Sequence, residues 1–208
     1  MSEFNDLFDN SVMPSVLKVN RSLSKVECEH IYNYFKKYKP QVMFEFGVQN
    51  GCSTRAFMEI AKWCGYKLSL HSWDIVDELK CIDKKHFNFH LEDITDREEI
   101  KFDKYTPDLV YLDAHPYKLT RNIMEICLKR KINFMCHDVD FRIGLERSCQ
   151  RTKGFSDLSV KTNANWELYL LGVLISTKLW REDSYKDDNV KVQCIRDYCG
   201  LGIVKHRG

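Results

Sequence analysis

The chain has 208 residues, 44% of them hydrophobic and 30% charged, enough for one hydrophobic core and too apolar for a disordered segment. Its 32 basic and 30 acidic residues leave a formal charge of +2 and are spread along the chain, so nothing in the composition calls for a nucleic acid or another polyanionic partner. Met1 to Asn10 is acidic without an apolar signal core, and no uncharged stretch reaches the roughly 18 residues that span a bilayer. A reduced, cytoplasmic protein with no membrane partner is expected. Its nine cysteines include no C-x-x-C pair, which argues against a structural zinc site.

In chain order, residues 1–22 carry no clear period and are expected to form an arm. Ser24 and Glu27 make an S-x-x-E capping box, followed at helical spacing by Cys28, Ile31, Tyr32 and Phe35 and closed by Lys36-Lys37-Tyr38-Lys39-Pro40. Gln41 to Phe46 is a buried strand, Cys52 to Cys64 a helix, Leu68 to Trp73 a strand and His86 to Leu91 an edge strand. Asp108 to Leu112 is a further strand, Leu119 to Arg130 a helix and Ile132 to Cys136 a strand. Trp166 to Trp180 is long and apolar enough for a helix. Val190 to Ile195 and Gly202 to Lys205 flank a turn at Cys199-Gly200 and predict an antiparallel hairpin. Strands alternating with helices predict an α/β fold, a mostly parallel sheet covered on both faces. One domain is expected, with the arm at 1–22, a leading helix at 23–40, a cofactor-binding core at 41–140 and an acceptor-side region with the hairpin at 141–208.

The segment Glu45-Phe46-Gly47-Val48-Gln49-Asn50-Gly51-Cys52-Ser53-Thr54 runs from a buried strand into a helix. Its glycines stand where the chain must turn tightly against a ligand, and the helix start offers amides and a positive dipole end to a carboxylate or phosphate. The G-x-x-x-G spacing is neither the dinucleotide fingerprint nor the phosphate loop. Glu45 would repel a pyrophosphate but accept from an amino group, and Ser53 and Thr54 add hydroxyl donors. Asp74 ends the next strand, where an acid can take both hydroxyls of a ribose. Glu92-Asp93 ends the third, within reach of an adenine amino group.

Beyond the fourth strand comes Asp113-Ala114-His115-Pro116-Tyr117, and beyond the fifth Cys136-His137-Asp138-Val139-Asp140. Neighbouring parallel strands would gather Asp113, His115, His137 and Asp138 at one sheet edge. Two carboxylates with imidazoles suit a hard divalent cation such as Mg²⁺ (or Mn²⁺), which would lower the pKa of an acceptor hydroxyl. An imidazole can take the proton, and both His115 and His137 are candidates. Strand alternation would turn His137 away from Asp138 unless the strand has already ended, which favours His115 as the base.

Glu45 to Thr54, Asp74, Glu92-Asp93 and Asp108-Leu-Val-Tyr-Leu-Asp113 resemble successive motifs of the class I S-adenosylmethionine-dependent methyltransferases. The resemblance covers about residues 41 to 140, and the terminal hairpin fits the family's last two strands. It implies a Rossmann-like, doubly wound fold, with Glu45 near the methionine amine, Gly47 and Gly51 in the cofactor loop, Asp74 on the ribose and Asp93 near the adenine. The motifs after strands four and five are similar to those of macrocin-type and rhamnosyl O-methyltransferases and the cephalosporin-hydroxylase-like proteins. More distantly they resemble the metal-dependent catechol and caffeoyl-CoA enzymes. That likeness implies Asp113 and Asp138 as metal ligands, His115 as base, and a small-molecule or glycan hydroxyl as acceptor, such as that of a deoxysugar in a viral glycan. Val139 stands where catechol-type enzymes carry asparagine, which leaves His137 or Asp140 as a substitute ligand. The competing readings are a nucleotide- or dinucleotide-binding oxidoreductase, which the missing third glycine opposes, and a non-catalytic binding protein, which the Asp113/Asp138 pair opposes.

Overall fold

A computed structural model of the chain describes residues 2–19, 23–114, 116–140, 166–197 and 199–207, which fall into two units, Met1–Asp93 and Ile94–Gly208. In the first unit the expected arm is helical. Helix α1 (Glu3–Asp9) is capped by the Ser2 side chain, and α2 (Met13–Val19) follows. Phe4, Phe8, Met13 and Val16 are buried, with the Phe4 ring 5.5 Å from that of Tyr32. Each helix has only 7 residues, too short to show a period or to stand alone, and its order comes from that packing. The capping box forms as read: Glu27 N donates to Ser24 Oγ at 3.1 Å and Ser24 N to Glu27 Oε2 at 2.7 Å, starting α3 (Lys25–Tyr38). Lys39 closes that helix in the left-handed conformation.

The rest of this unit is β1 (Val42–Phe46), α4 (Cys52–Trp63), β2 (Ser69–Asp74) and β3 (Asn88–Leu91). The strands are parallel, with β2 between β1 and β3. Alternation along β1 separates two chemistries. Phe44 and Phe46 belong to an aromatic face with His71, Trp73 and His90, where Phe46 stacks on Trp73 at 5.1 Å and Trp73 on His90 at 4.6 Å. Glu45, between the two phenylalanines, points the other way, toward the start of α4.

The second unit contains α5 (Glu98–Tyr105), β4 (Leu109–Leu112), α6 (Tyr117–Arg130), β5 (Asn133–His137), α7 (Glu167–Leu174), β6 (Ser184–Lys186), β7 (Val190–Ile195) and β8 (Leu201–His206). Strands β4 and β5 are parallel; β8 runs antiparallel to β5, β7 to β8 and β6 to β7. The α/β alternation with an antiparallel C-terminal hairpin is therefore the observed architecture. Helix α5 has no counterpart in the sequence reading, because only Glu98 and Phe102 of its residues are buried and Ile100 faces solvent. The apolar segment from Trp166 to Trp180 is broken: α7 stops at Leu174, and a short 3₁₀ turn, Thr177–Trp180, folds back on it. Among the described residues no helix is long and apolar enough to cross a membrane.

Gly172 makes that fold-back possible. A Cβ there would lie 1.6 Å from Trp180 Nε1 and 2.3 Å from Cε2, so the indole occupies the space that any other side chain would need. Gly172→Ala is expected to destabilise the chain by about 1–3 kcal/mol through overpacking, although alanine is the better helix former. Urea unfolding checks this; an unchanged or raised midpoint would show that the indole moves aside freely.

Candidate active site

The turn after β1 is held by two carboxylates. Glu45 is fully buried and accepts from three hydroxyls, Ser53 Oγ at 2.6 Å, Thr54 Oγ1 at 2.7 Å and Ser72 Oγ at 2.7 Å. A buried carboxylate needs such donors to offset its lost hydration, and here they come from the first turn of α4 and from β2. The hydroxyls of Ser53 and Thr54 are thus directed to Glu45, and Glu45 is turned onto protein donors. Neither arrangement was legible, because Ser72 becomes the cross-strand partner of Glu45 only through the β1–β2 register.

Asp74, half-buried at the end of β2, accepts through Oδ2 from Val48 N and Gln49 N, both at 2.8 Å, and through Oδ1 from Val76 N at 3.1 Å. Its carboxylate therefore shapes the glycine turn and, with about four lone-pair sites, keeps room for a further donor. The turn has positive φ at Gly47 (87°), Gln49 (47°) and Gly51 (76°). At Gly51 a Cβ would also lie 2.8 Å from Ile82 Cγ2 and 2.9 Å from Leu79 Cδ2, so glycine is required there on two counts. Glu92 accepts from Trp73 Nε1 at 3.3 Å, and Asp93 follows β3 in an exposed position. A tight turn, a helix N-terminus with its positive dipole end and an acid with a spare lone pair fit a cofactor that carries a carboxylate and a ribose.

In the second unit, β5 ends at His137 and Asp138 takes φ 61°. That left-handed residue interrupts the alternation, so His137 and Asp138 come together instead of facing apart. His137 Nδ1 lies 3.5 Å from Asp138 Oδ1 and 3.4 Å from Asp113 Oδ1. The expectation that His137 turns away held only for a strand that continues, and here β5 has ended. Asp140 is buried and its amide donates to the Cys199 carbonyl at 2.9 Å. His115 lies outside the described residues, as does the expected acceptor wall from Arg142 to Asn165.

Two residues join this cluster that the sequence reading passed over. The ligand atoms of His137, Asp138 and Cys199 all lie within 4.8 Å of one another, the one such group among the described residues, with Asp113 beside the imidazole. Cys199 comes from the β7–β8 connection, a proximity that no spacing in the sequence reports. Glu167, in the first turn of α7, is fully buried, and neither carboxylate oxygen has a hydrogen-bond partner among the described residues. Burial, then the nearby charges of Asp138 and Asp113, push its carboxyl well above the ordinary range, with His137 opposing. Its signal was a single acid heading an apolar helix, which reads as ordinary complement to the helix dipole. Nitrogen, oxygen and sulfur donors together do not fit Mg²⁺, which demands oxygen ligands, but they fit a softer divalent ion.

No family model and no curated protein matches the chain. Solved structures do. An O-methyltransferase from Bacillus cereus, in complex with S-adenosylhomocysteine, is 12% identical with a TM-score of 0.63, over 98% of this chain and 96% of that one. The S-adenosylhomocysteine-bound methyltransferase PaMTH1 of Podospora anserina is 14% identical with a TM-score of 0.58, over 98% and 93%. MycE, a methyltransferase of the mycinamycin biosynthetic pathway in complex with Mg, S-adenosylhomocysteine and mycinamycin VI, is 13% identical with a TM-score of 0.58, over 99% and 54%. The chain has the Rossmann-like fold of class I methyltransferases.

The raised Glu167 carboxyl gives a signed pH dependence. Between its unfolded pKa near 4.5 and its higher folded value, the native state holds a proton that the unfolded state has lost. This contribution to stability is therefore complete below the unfolded pKa and declines as pH rises through that window. In chelator, Glu167→Gln should leave the urea midpoint at pH 4 almost unchanged and raise it at pH 7. A variant that loses stability equally at both values would show that the carboxyl has a polar partner.

Proposed function

We propose that this chain transfers the methyl group of S-adenosylmethionine to a hydroxyl oxygen of a sugar, a glycan-bound deoxysugar or another small polyol. The fold shared with S-adenosylhomocysteine-bound methyltransferases, the Bacillus cereus O-methyltransferase among them, over nearly the whole chain is the observation that carries this reading. S-Adenosylmethionine supplies an electrophilic methyl carbon on a sulfonium, which the acceptor oxygen attacks as the C–S bond breaks.

The residues divide the work. Gly47 and Gly51 let the backbone approach the cofactor, and the start of α4 offers amides to its carboxylate. Asp74 uses its remaining lone pair for a ribose hydroxyl, and Asp93 accepts from the adenine amine. Glu45, Ser53 and Thr54 serve the same ligand by fixing the turn that Asp74 shapes. On the acceptor side, Asp113 orients the imidazole of His137, which takes the hydroxyl proton; His115 is the alternative base. If a divalent cation is held by Asp113, Asp138 and His137, it would lower the pKa of that hydroxyl, and the proton would then pass to His115. The absence of a basic run and of any electrostatic excess supports a small-molecule or glycan acceptor over nucleic acid.

S-Adenosylhomocysteine should raise the melting temperature and NAD should not. At about 100 times its Kd a ligand of the native state adds about 2.7 kcal/mol. Asp74→Ala should lose most of the shift. Stabilisation by NAD alone would overturn the methyltransferase reading and favour an oxidoreductase. With an acceptor in hand, His137→Ala should lower kcat by about 10²- to 10⁴-fold, the usual contribution of a positioned base. The ascending limb of the pH–rate profile should vanish with it. Near-wild-type turnover in His137→Ala, with loss in His115→Ala, would give the proton to His115.

A further inference from the structure

We propose that His137, Asp138 and Cys199 form the protein side of a site for a thiophilic divalent ion of the zinc class. This deepens the methyltransferase reading and rests on it only for what the ion would serve. Ligands that share a tetrahedral ion at bond lengths of about 2.0–2.3 Å lie roughly 3.3–3.8 Å apart. His137 Nδ1 stands 3.5 Å from Asp138 Oδ1, and the thiol joins the pair with all three donors inside 4.8 Å. A small side-chain adjustment closes the set. Mg²⁺ and Ca²⁺ select oxygen donors, whereas an imidazole, a carboxylate and a thiolate together select zinc and its neighbours.

The backbone is built to bring the thiol there. Val139 N donates to Gly200 O at 3.3 Å and Asp140 N to Cys199 O at 2.9 Å, which clamps the β7–β8 connection against the residues that follow β5. Gly200 has φ 90°, and a Cβ on it would lie 2.5 Å from Asp140 N, so only glycine permits this approach. Arg196 secures the same corner, pairing with Asp183 at 2.5 Å and donating to Val139 O at 3.5 Å. The left-handed Asp138 is the third element, since an extended residue there would send its carboxylate to the opposite face from His137. Independently, Glu167 brings a wholly buried carboxyl with no hydrogen-bond partner among the described residues into the field of Asp138 and Asp113. A dication would balance the carboxylate of Asp138 and the thiolate of Cys199, with the Asp113 carboxyl beside the same imidazole. Three protein ligands also leave one tetrahedral position for a water or an acceptor oxygen.

The test uses the full chain, stripped with chelator and titrated with Co²⁺ as a coloured stand-in for zinc. A sulfur-to-cobalt charge-transfer band should grow to one equivalent and be displaced by Zn²⁺ but not by a large excess of Mg²⁺. Cys199→Ser should abolish the band and weaken Zn²⁺ binding by at least about tenfold, the smaller loss typical of even an outer-sphere partner. Cys81→Ser, a half-buried thiol elsewhere, should keep the band. X-ray absorption at the zinc edge of the wild-type chain needs no variant and should show one sulfur scatterer at about 2.3 Å. A shell of nitrogen and oxygen alone, or a band that survives in Cys199→Ser, overturns the proposal. S-Adenosylhomocysteine melting shifts on the same metal-free samples report the methyltransferase reading separately: a missing shift with the band present removes that reading and leaves the metal site standing.

Discussion

The carboxylate of Glu45 is the interaction on which the first unit turns. A fully buried, isolated carboxylate would cost several kcal/mol, and three hydroxyls from two other elements offset that cost. Because those donors stand on β2 and in the first turn of α4, satisfying the charge also fixes where α4 begins relative to the sheet. The turn between β1 and α4 then has little freedom left, and Asp74 removes the remainder by taking two of its amides. Pre-organisation of this kind keeps the entropic cost of ordering a loop out of the binding step. An apolar residue of similar size at position 45 would fill the space but would leave Ser53, Thr54 and Ser72 to find other partners.

The second unit solves a different problem with a backbone angle. A strand can present only alternate residues to one face, yet the cluster after β5 needs adjacent residues on the same side. Asp138 provides this by ending the strand in the left-handed region, which Asp and Asn tolerate better than other non-glycine residues. The close approach at Gly200 is held by the hydrogen bonds that join Val139 and Asp140 to Gly200 and Cys199.

Much of this was legible where cause and effect are close in sequence. The Ser24 capping box, the strand-to-helix turn at Gly47–Gly51, the Asp74 position and the C-terminal hairpin each depend on residues within one element or its immediate neighbour. Helix α5 was not legible, because a helix that buries only Glu98 and Phe102 has almost no apolar stripe. The helices α1 and α2 draw their order from rings such as Tyr32, which no local pattern announces. The same reason hid the two additions to the acceptor-side cluster. Cys199 was visible as a turn residue and Glu167 as a helix-start acid, but both meet Asp138 only through tertiary structure, more than twenty residues away in the chain. The alternation rule left His137 conditional on where the strand ends, and the residue that ends it is not a glycine, so no local signal marked the stop.

The grouping of Asp113, His137, Asp138 and Glu167 also constrains how the cluster can be charged. Burial holds the proton on Glu167, whose carboxylate oxygens have no hydrogen-bond partner among the described residues. Asp113 and Asp138 both lie against the same imidazole nitrogen, Nδ1 of His137, where a proton and a metal ion would exclude each other. Cation binding by a cluster of this composition would release protons, since thiol and imidazole must both be deprotonated to act as ligands. The base that receives an acceptor proton and the ligand that holds an ion cannot then be one nitrogen of His137 at the same moment. Nε2 of His137 is buried, and the sequence carries another histidine two residues beyond Asp113, at position 115.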